Sequence, residues 1–502
     1  MCAIVATFKV GTPLNAVNAT KLTTMNTGRI PRKNLWKLQV VLKKYQGRSG
    51  MRTHRFQPVC RIGIAAALSF AMYCSSAAAP PVQSMAKLSG LKPDSTLPAD
   101  FLRNAVPRTM RLNAKGAKPN ASAGHAAVAA AGVPGIDSIQ NWVGTFTAAG
   151  YDFFGNPQSL WPYSMVGNAP ETGRTTTIRS PVIPVTVELL DVNGHLAKDA
   201  SGAALRNVVP GSITSAVVES PVFEPFHYMT GTTQFNDAEM RSEFWNRFSH
   251  GNGDDEDGWH NLLQPKVMRP RTLQLPLGTY AYALNPDGTC CAFIVADLNT
   301  FASLLFPPTV PVDNSTPIGA AELAGDMTTH DITTLLFKDV YLADATGCCV
   351  IGFHSYDFEP GDAGNQNRER RYVMNYSSWM SLGEFSGGFQ DITAFSHEMS
   401  ETFNDPFGDN ATPWWLSVDP FAGYSLCQNN LETGDVIEIL ISNAVFPIQM
   451  NKRTYHPQNE ALFSWFAFQS PSRAQNKSYS FPDETTLTTL SAGPLLPGCV
   501  KP

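Results

Sequence analysis

Between Tyr280 and His354 the chain runs through four short stretches, Tyr280–Leu284, Cys291–Val295, Thr334–Leu342 and Cys348–His354, in which β-branched and apolar residues dominate between turn signals. Such runs predict strands of one mixed sheet. Beyond them lies a segment of opposite periodicity, Asp391–Asn404 (DITAFSHEMSETFN), with Asp391 placed to cap a first turn and Pro406 just past the end. At 100° per residue Ile392, Phe395, Met399 and Phe403 fall in one narrow arc, the stripe of a helix laid on a core. A second helix is expected over Asp237–Phe248, where Met240, Phe244 and Phe248 repeat at four-residue intervals. Thr175–Leu190 is β-rich, and Pro181 and Pro184 push it towards a sheet edge. The fold class is therefore α+β: a mixed β-sheet carrying the Asp391–Asn404 helix, preceded by a β-rich N-terminal portion.

The first acidic residue of the 502 is Asp94, whereas Lys and Arg recur before it. From Met51 the pattern sharpens into a basic start (Arg52, Arg55, Arg61), an apolar run from Ile62 to Tyr73 and the small residues Ser75 to Ala79. This reads as a secretory signal peptide over 51–79. Residues 1–50 are then either upstream of the true start at Met51 or a long basic leader. Residues 80–134, rich in Ala, Pro, Gly and Ser, have the composition of a disordered linker or pro-segment. Order is expected from about Ile136, where Trp142, Phe146 and Trp161 offer core anchors, with a β-rich portion over 135–330 and a metal-site portion over 331–502.

No apolar stretch approaches the length of about 20 residues that spans a bilayer, so stable membrane insertion is not expected. With a net charge of -5 and no basic stripe interleaved with aromatics beyond the N-terminal region, a nucleic-acid partner is not expected either. The acidic run Asp254–Asp257 sits between glycines without calcium-loop spacing and reads as a solvated loop. Of the nine cysteines, Cys290, Cys291, Cys348, Cys349, Cys427 and Cys499 follow the signal. An even number in an exported chain favours disulfides. The expected pairing cross-links the two adjacent pairs on neighbouring strands and ties Cys427 to Cys499.

On the Asp391–Asn404 helix, His397 and Glu401 stand four apart on a face other than the apolar stripe, so both can reach one ion. Two ligands at i and i+4 with a Glu after the first are the metallopeptidase arrangement, in which Glu398 is the general base on a metal-bound water. Glu401 stands where that arrangement has a second His, which weakens the preference for zinc over harder cations. Glu398 and Glu401 are three apart, a like-charge spacing that a cation relieves. A third ligand must come from Asp405, Asp409, or the Leu431–Asp435 turn, where Glu432 is preferred and Asp435 is the neighbour. Tyr455 and His456 are candidate donors to a developing oxyanion, and Trp414 and Trp415 are candidates to line a cleft.

Three pieces recur together in this order: Cys348-Cys349 leading into Gly352-Phe353-His354, the run from Ser396 to Pro406, and the turn from Glu432 to Asp435. In these the chain resembles the plant phosphate-induced, Exordium-like secreted proteins and related bacterial exported proteins, over about a quarter of its length (Thr334 to Trp465). The resemblance implies an apoplastic or exported protein with a zincin-like His-Glu-x-x-Glu site, and places His354 in the site region. No Gly-x-Ser-x-Gly elbow speaks for a serine hydrolase. Two functions follow as expectations. One is a secreted or periplasmic Zn2+-dependent hydrolase acting on a peptide or protein, with Glu398 as base and His397, Glu401, Glu432 or Asp435 as ligands. The alternative is a non-catalytic exported protein that binds a partner or cell-wall component and holds a structural metal or a vestigial site.

Overall fold

The computed structural model describes residues 94–105, 107–112, 135–152, 155–248, 258–308, 312–345, 347–419, 424–438 and 444–490. The leader, the signal segment, the Asp254–Asp257 loop and Cys499 lie outside them. The described residues form a mixed α/β structure around one large, mainly parallel sheet. Its strands run in the order Thr96–Leu97, Tyr280–Leu284, Cys290–Asp297, Val340–Asp344, Gly347–Glu359, Glu369–Trp379, Ile332–Lys338, Thr176–Leu189 and Asn261–Val267. The four strand runs read from the sequence all lie in this sheet. Thr334–Leu342 is broken in two at Asp339, whose φ of 49° ends one strand and starts the next. The four strands from after residue 330 lie side by side in the path and are flanked on both sides by strands from before it, so the 135–330 and 331–502 portions share a single sheet.

Two readings are corrected here. Thr176–Leu189 is not an edge: Ile332–Lys338 pairs one side, while Asn261–Val267 and Arg271–Leu275 divide the other. Pro184 falls in the gap between those two partners, whose registers end at Val182 and begin at Val185, so its missing N–H disrupts no pairing there. The segment 80–134 is not wholly a linker. Thr96–Leu97 adds to Tyr280–Leu284, and Arg108–Arg111 runs parallel to Gly347–Glu359 with Thr109 level with Gly352 and His354 level with Arg111.

The sheet buries a core on each face. Phe353, Met374 and Tyr376 pack beneath the Leu298–Leu305 and Pro317–Leu323 helices. On the other face Ile351, Tyr356 and Val373 meet Phe395, Met399 and Phe403 of the Thr393–Asn404 helix. A Cβ at Gly352 would meet Glu398 of the helix, and beyond it the alternation of side chains puts His354 on the helix side with Tyr356, opposite Phe353; the register irregularity between Val350 and Gly352 brings Ile351 to the helix side as well. Phe395, Met399 and Phe403 are at most 1% exposed, and burying each contributes about 1.5–3 kcal/mol. The expected Asp237–Phe248 helix is present as Phe235–Phe248 and fits into the same core through Met240, Phe244 and Phe248.

The cysteine pairing also differs from expectation. Cys290–Cys291 and Cys348–Cys349 each close on themselves as vicinal disulfides, and Cys427 is disulfide-bonded. Register explains why the pairs do not cross-link. Cys348 is level with Ala343, which is level with Asp297, whereas Cys290 begins that same strand. Seven residues of strand separate the two levels, about 23 Å, and a disulfide bridges Cα atoms at most about 7 Å apart.

Candidate metal centre

Every residue of the Thr393–Asn404 helix is buried, including His397, Glu398 and Glu401. The polar face therefore turns into a second packed surface instead of solvent. That surface is the turn Leu431–Asp435, the strand segment Gly352–His354 and Thr109. Two glycines make the approach possible. A Cβ at Gly434 would overlap the imidazole of His397, and one at Gly352 would overlap the carboxyl group of Glu398. Each of these glycines lies inside one of the short motifs of the sequence, which gives both motifs a steric reason.

Glu401 is the hub. Its Oε1 lies 2.9 Å from His397 Nε2 and accepts from the Gly434 amide at 3.2 Å, and its Oε2 lies 3.1 Å from His354 Nδ1. Glu398 Oε2 is 3.4 Å from the same His354 nitrogen. Glu432 Oε2 stands 3.8 Å from His354 Nε2, and Asp435 Oδ1 stands 3.8 Å from His397 Nε2. Of the two acids offered by the turn, Asp435 thus accompanies His397, and Glu432 accompanies His354. The ligand-type atoms form two groups, His354–Glu401–Glu432 and His397–Glu401–Asp435, each with all its atoms within 4.8 Å of one another. Ligands about 2.0–2.2 Å from a common ion stand roughly 3–4.3 Å from each other, so either group can close on a cation with small movements.

The hydrogen bonding points the same way. Both ring nitrogens of His354, both oxygens of Glu398 and Oε2 of Glu401 are buried without a hydrogen-bond partner. Buried polar atoms are almost always satisfied, and a cluster of imidazole and carboxylate atoms left without partners suits a cation. Thr109 Oγ1 completes the second group, 2.6 Å from His397 Nε2, 3.3 Å from Asp435 Oδ1 and 3.2 Å from Glu438 Oε2. Thr109 falls in the stretch read as a linker, and no local signal marks it. Glu239, which bonds Ser400, and Glu460 add further buried acids.

Electrostatically the site is short of positive charge. Burial pushes Glu398 and Glu438 up to about 8 and Asp435 to about 6. Burial would raise Glu401 too, but the charges of His397 and His354, 2.9 and 3.1 Å from its two oxygens, outweigh it and hold it far below the carboxylate range. Both imidazoles, although burial alone would lower them, are held well above the usual histidine range by their acids: Glu401 foremost for His397, Glu432 foremost for His354.

Several expected site residues lie elsewhere. His456 pairs with Asp391 through Nδ1 at 2.6 Å, and its carbonyl accepts from Thr393, about one helical turn (~6 Å) before His397. Asp391 is accordingly no helix cap; it adopts φ 42° and binds His456. Tyr455 is buried in the apolar core. Asp405 accepts from the amides of Asp409 and Asn410 and organises the turn after the helix. Neither Asp405 nor Asp409 belongs to the two ligand groups. Trp415 is a core residue, edge-on to Trp465, and lines no cleft. No helix among the described residues is long and apolar enough to cross a membrane. No family model, curated protein or solved structure matches the chain.

Proposed function

We propose that this is an exported, metal-dependent hydrolase of the zincin-like type suggested by its Exordium-like motifs, with peptides or proteins as substrate. The observation that supports it is the convergence of His397, Glu401 and Asp435 beside a buried, unsatisfied Glu398. Asp435, 13% exposed at its side chain, is the most exposed member of this group. The donor set of one imidazole and two carboxylates fits Zn2+ or a somewhat harder divalent cation. Such an ion supplies polarisation of a carbonyl and acidification of water. Glu398 is the base: burial, which raises it to about 8, makes its ionised form a stronger proton acceptor, able to take a proton from an attacking water and pass it to the leaving group. His354, 3.4 Å from Glu398, orients it. Thr109, whose Oγ1 also lies 3.3 Å from His397 Nδ1, orients His397 when it bonds that nitrogen and leaves Nε2 to the ion.

Burial of His397, Glu398 and Glu401 at 0% exposure favours a second reading, an exported binding or cell-wall-associated protein with a structural ion. Glu398→Gln separates the two. With fluorescent casein as substrate, the first reading predicts a loss of hydrolysis of at least a hundredfold with metal content unchanged. Equal hydrolysis by the variant rejects Glu398 as base, and no hydrolysis by the metal-loaded parent favours the structural ion.

A further inference from the structure

The two ligand groups share one residue, Glu401, whose two oxygens meet different imidazoles. We propose that the centre holds two divalent cations bridged by Glu401, one on His397, Glu401 and Asp435 and the other on His354, Glu401 and Glu432. The inference rests on the cation-binding reading above and extends it from one ion to two.

Geometry carries the argument. The two oxygens of Glu401 are committed to different imidazoles, Oε1 to His397 at 2.9 Å and Oε2 to His354 at 3.1 Å. The ligand groups comprise these two imidazoles with separate third acids, and no group contains both histidines. One ion can therefore satisfy one imidazole and leave the other, 0–1% exposed, facing carboxylates with nothing between them. The unpartnered nitrogens of His354 are such a remainder if only the His397 group is filled. A bridging carboxylate holds two ions about 3.5–4 Å apart, the spacing of two-metal hydrolytic sites.

Charge gives an independent reason. Glu398, Glu401, Glu432, Asp435 and Glu438 surround two imidazoles that are neutral when they act as ligands. Bound cations favour the ionised form of each acid beside them, and with all five ionised one divalent ion offsets two of the five charges whereas two offset four. Uncompensated buried charge is among the most costly features a fold can carry.

The test uses the full chain, dialysed against Zn2+, desalted and analysed by plasma mass spectrometry, with the Mn2+-loaded chain examined by electron paramagnetic resonance. Two Zn2+ per chain are expected, falling to one in His354→Ala and one in Asp435→Asn, with an exchange-coupled Mn2+ pair in the parent. One Zn2+ per chain, or two that persist in His354→Ala, overturns the second ion while leaving the single-ion reading intact. No bound Zn2+ overturns both. If the variants fail to fold, the parent's resonance decides: uncoupled Mn2+ signals contradict the bridge.

Discussion

Glu401 Oε1 and His397 Nε2 meet at 2.9 Å across one turn of a helix that is buried on all sides. A carboxylate and an imidazole in that position form a binding surface only if something positive enters, because Glu398, Asp435 and Glu438 crowd the same space. Zn2+ at a hundredfold over its Kd should stabilise the parent against urea by roughly 2.7 kcal/mol. Glu401→Gln should abolish that increment, since it removes the residue common to both ligand groups. Urea titrations with Zn2+ and with chelator measure it, and an equal Zn2+ increment in the variant would count against the site.

Gly434→Ala places a methyl group against the ring of His397. The expected cost is about 1–3 kcal/mol of stability from overpacking, with weakened Zn2+ uptake because the ring must shift. Gly211, first residue of the Gly211–Val218 helix with nothing within 4 Å of a Cβ, is the control. Gly211→Ala should change stability by no more than about 0.5 kcal/mol.

A pH effect is expected from the Pro317–Leu323 helix, which packs on the opposite face of the sheet from Thr393–Asn404. Burial, then the charges of Asp357 and Glu359, push Glu322 up from 4.5 to about 10. The folded chain therefore binds this proton more tightly than the unfolded chain does. Stability from this group is present below about pH 4.5 and is lost progressively as pH rises toward 10. Glu322→Gln should flatten that decline in urea midpoints taken across the range; an unchanged slope would contradict the assignment.

The vicinal pairing of the cysteines predicts that proteolysis without reduction yields one peptide holding Cys290 with Cys291 and another holding Cys348 with Cys349. Each should be lighter by two hydrogens, and no peptide should join the two pairs. A cross-linked peptide would contradict the strand register.

Much of this was legible in local patterns. The strand runs from Tyr280 to His354 and the stripe Ile392, Phe395, Met399 and Phe403 needed only periodicity, because one face of each element is apolar. The i, i+4 relation of His397 and Glu401 is likewise fixed by helical geometry. What could not be read is long-range. Thr109 reaches His397 through a strand laid beside Gly352, in a stretch whose small residues gave no sign of pairing. The division of Glu432 and Asp435 between two histidines depends on how the turn meets the helix, and the two acids are only three residues apart. His456 and Tyr455 were attractive as residue types, but the Asp391 contact draws His456 to the N-terminal end of the helix, about one turn before His397.

The central claim is that a cation occupies the space around the Glu401 carboxylate. Crystals of the full chain soaked in Zn2+ and measured at the zinc absorption edge test it most directly. The account predicts anomalous density within ~2.0–2.2 Å of a Glu401 oxygen and of an imidazole nitrogen. Zinc bound only elsewhere, with Glu401, His354 and His397 hydrogen-bonded to one another, would contradict it.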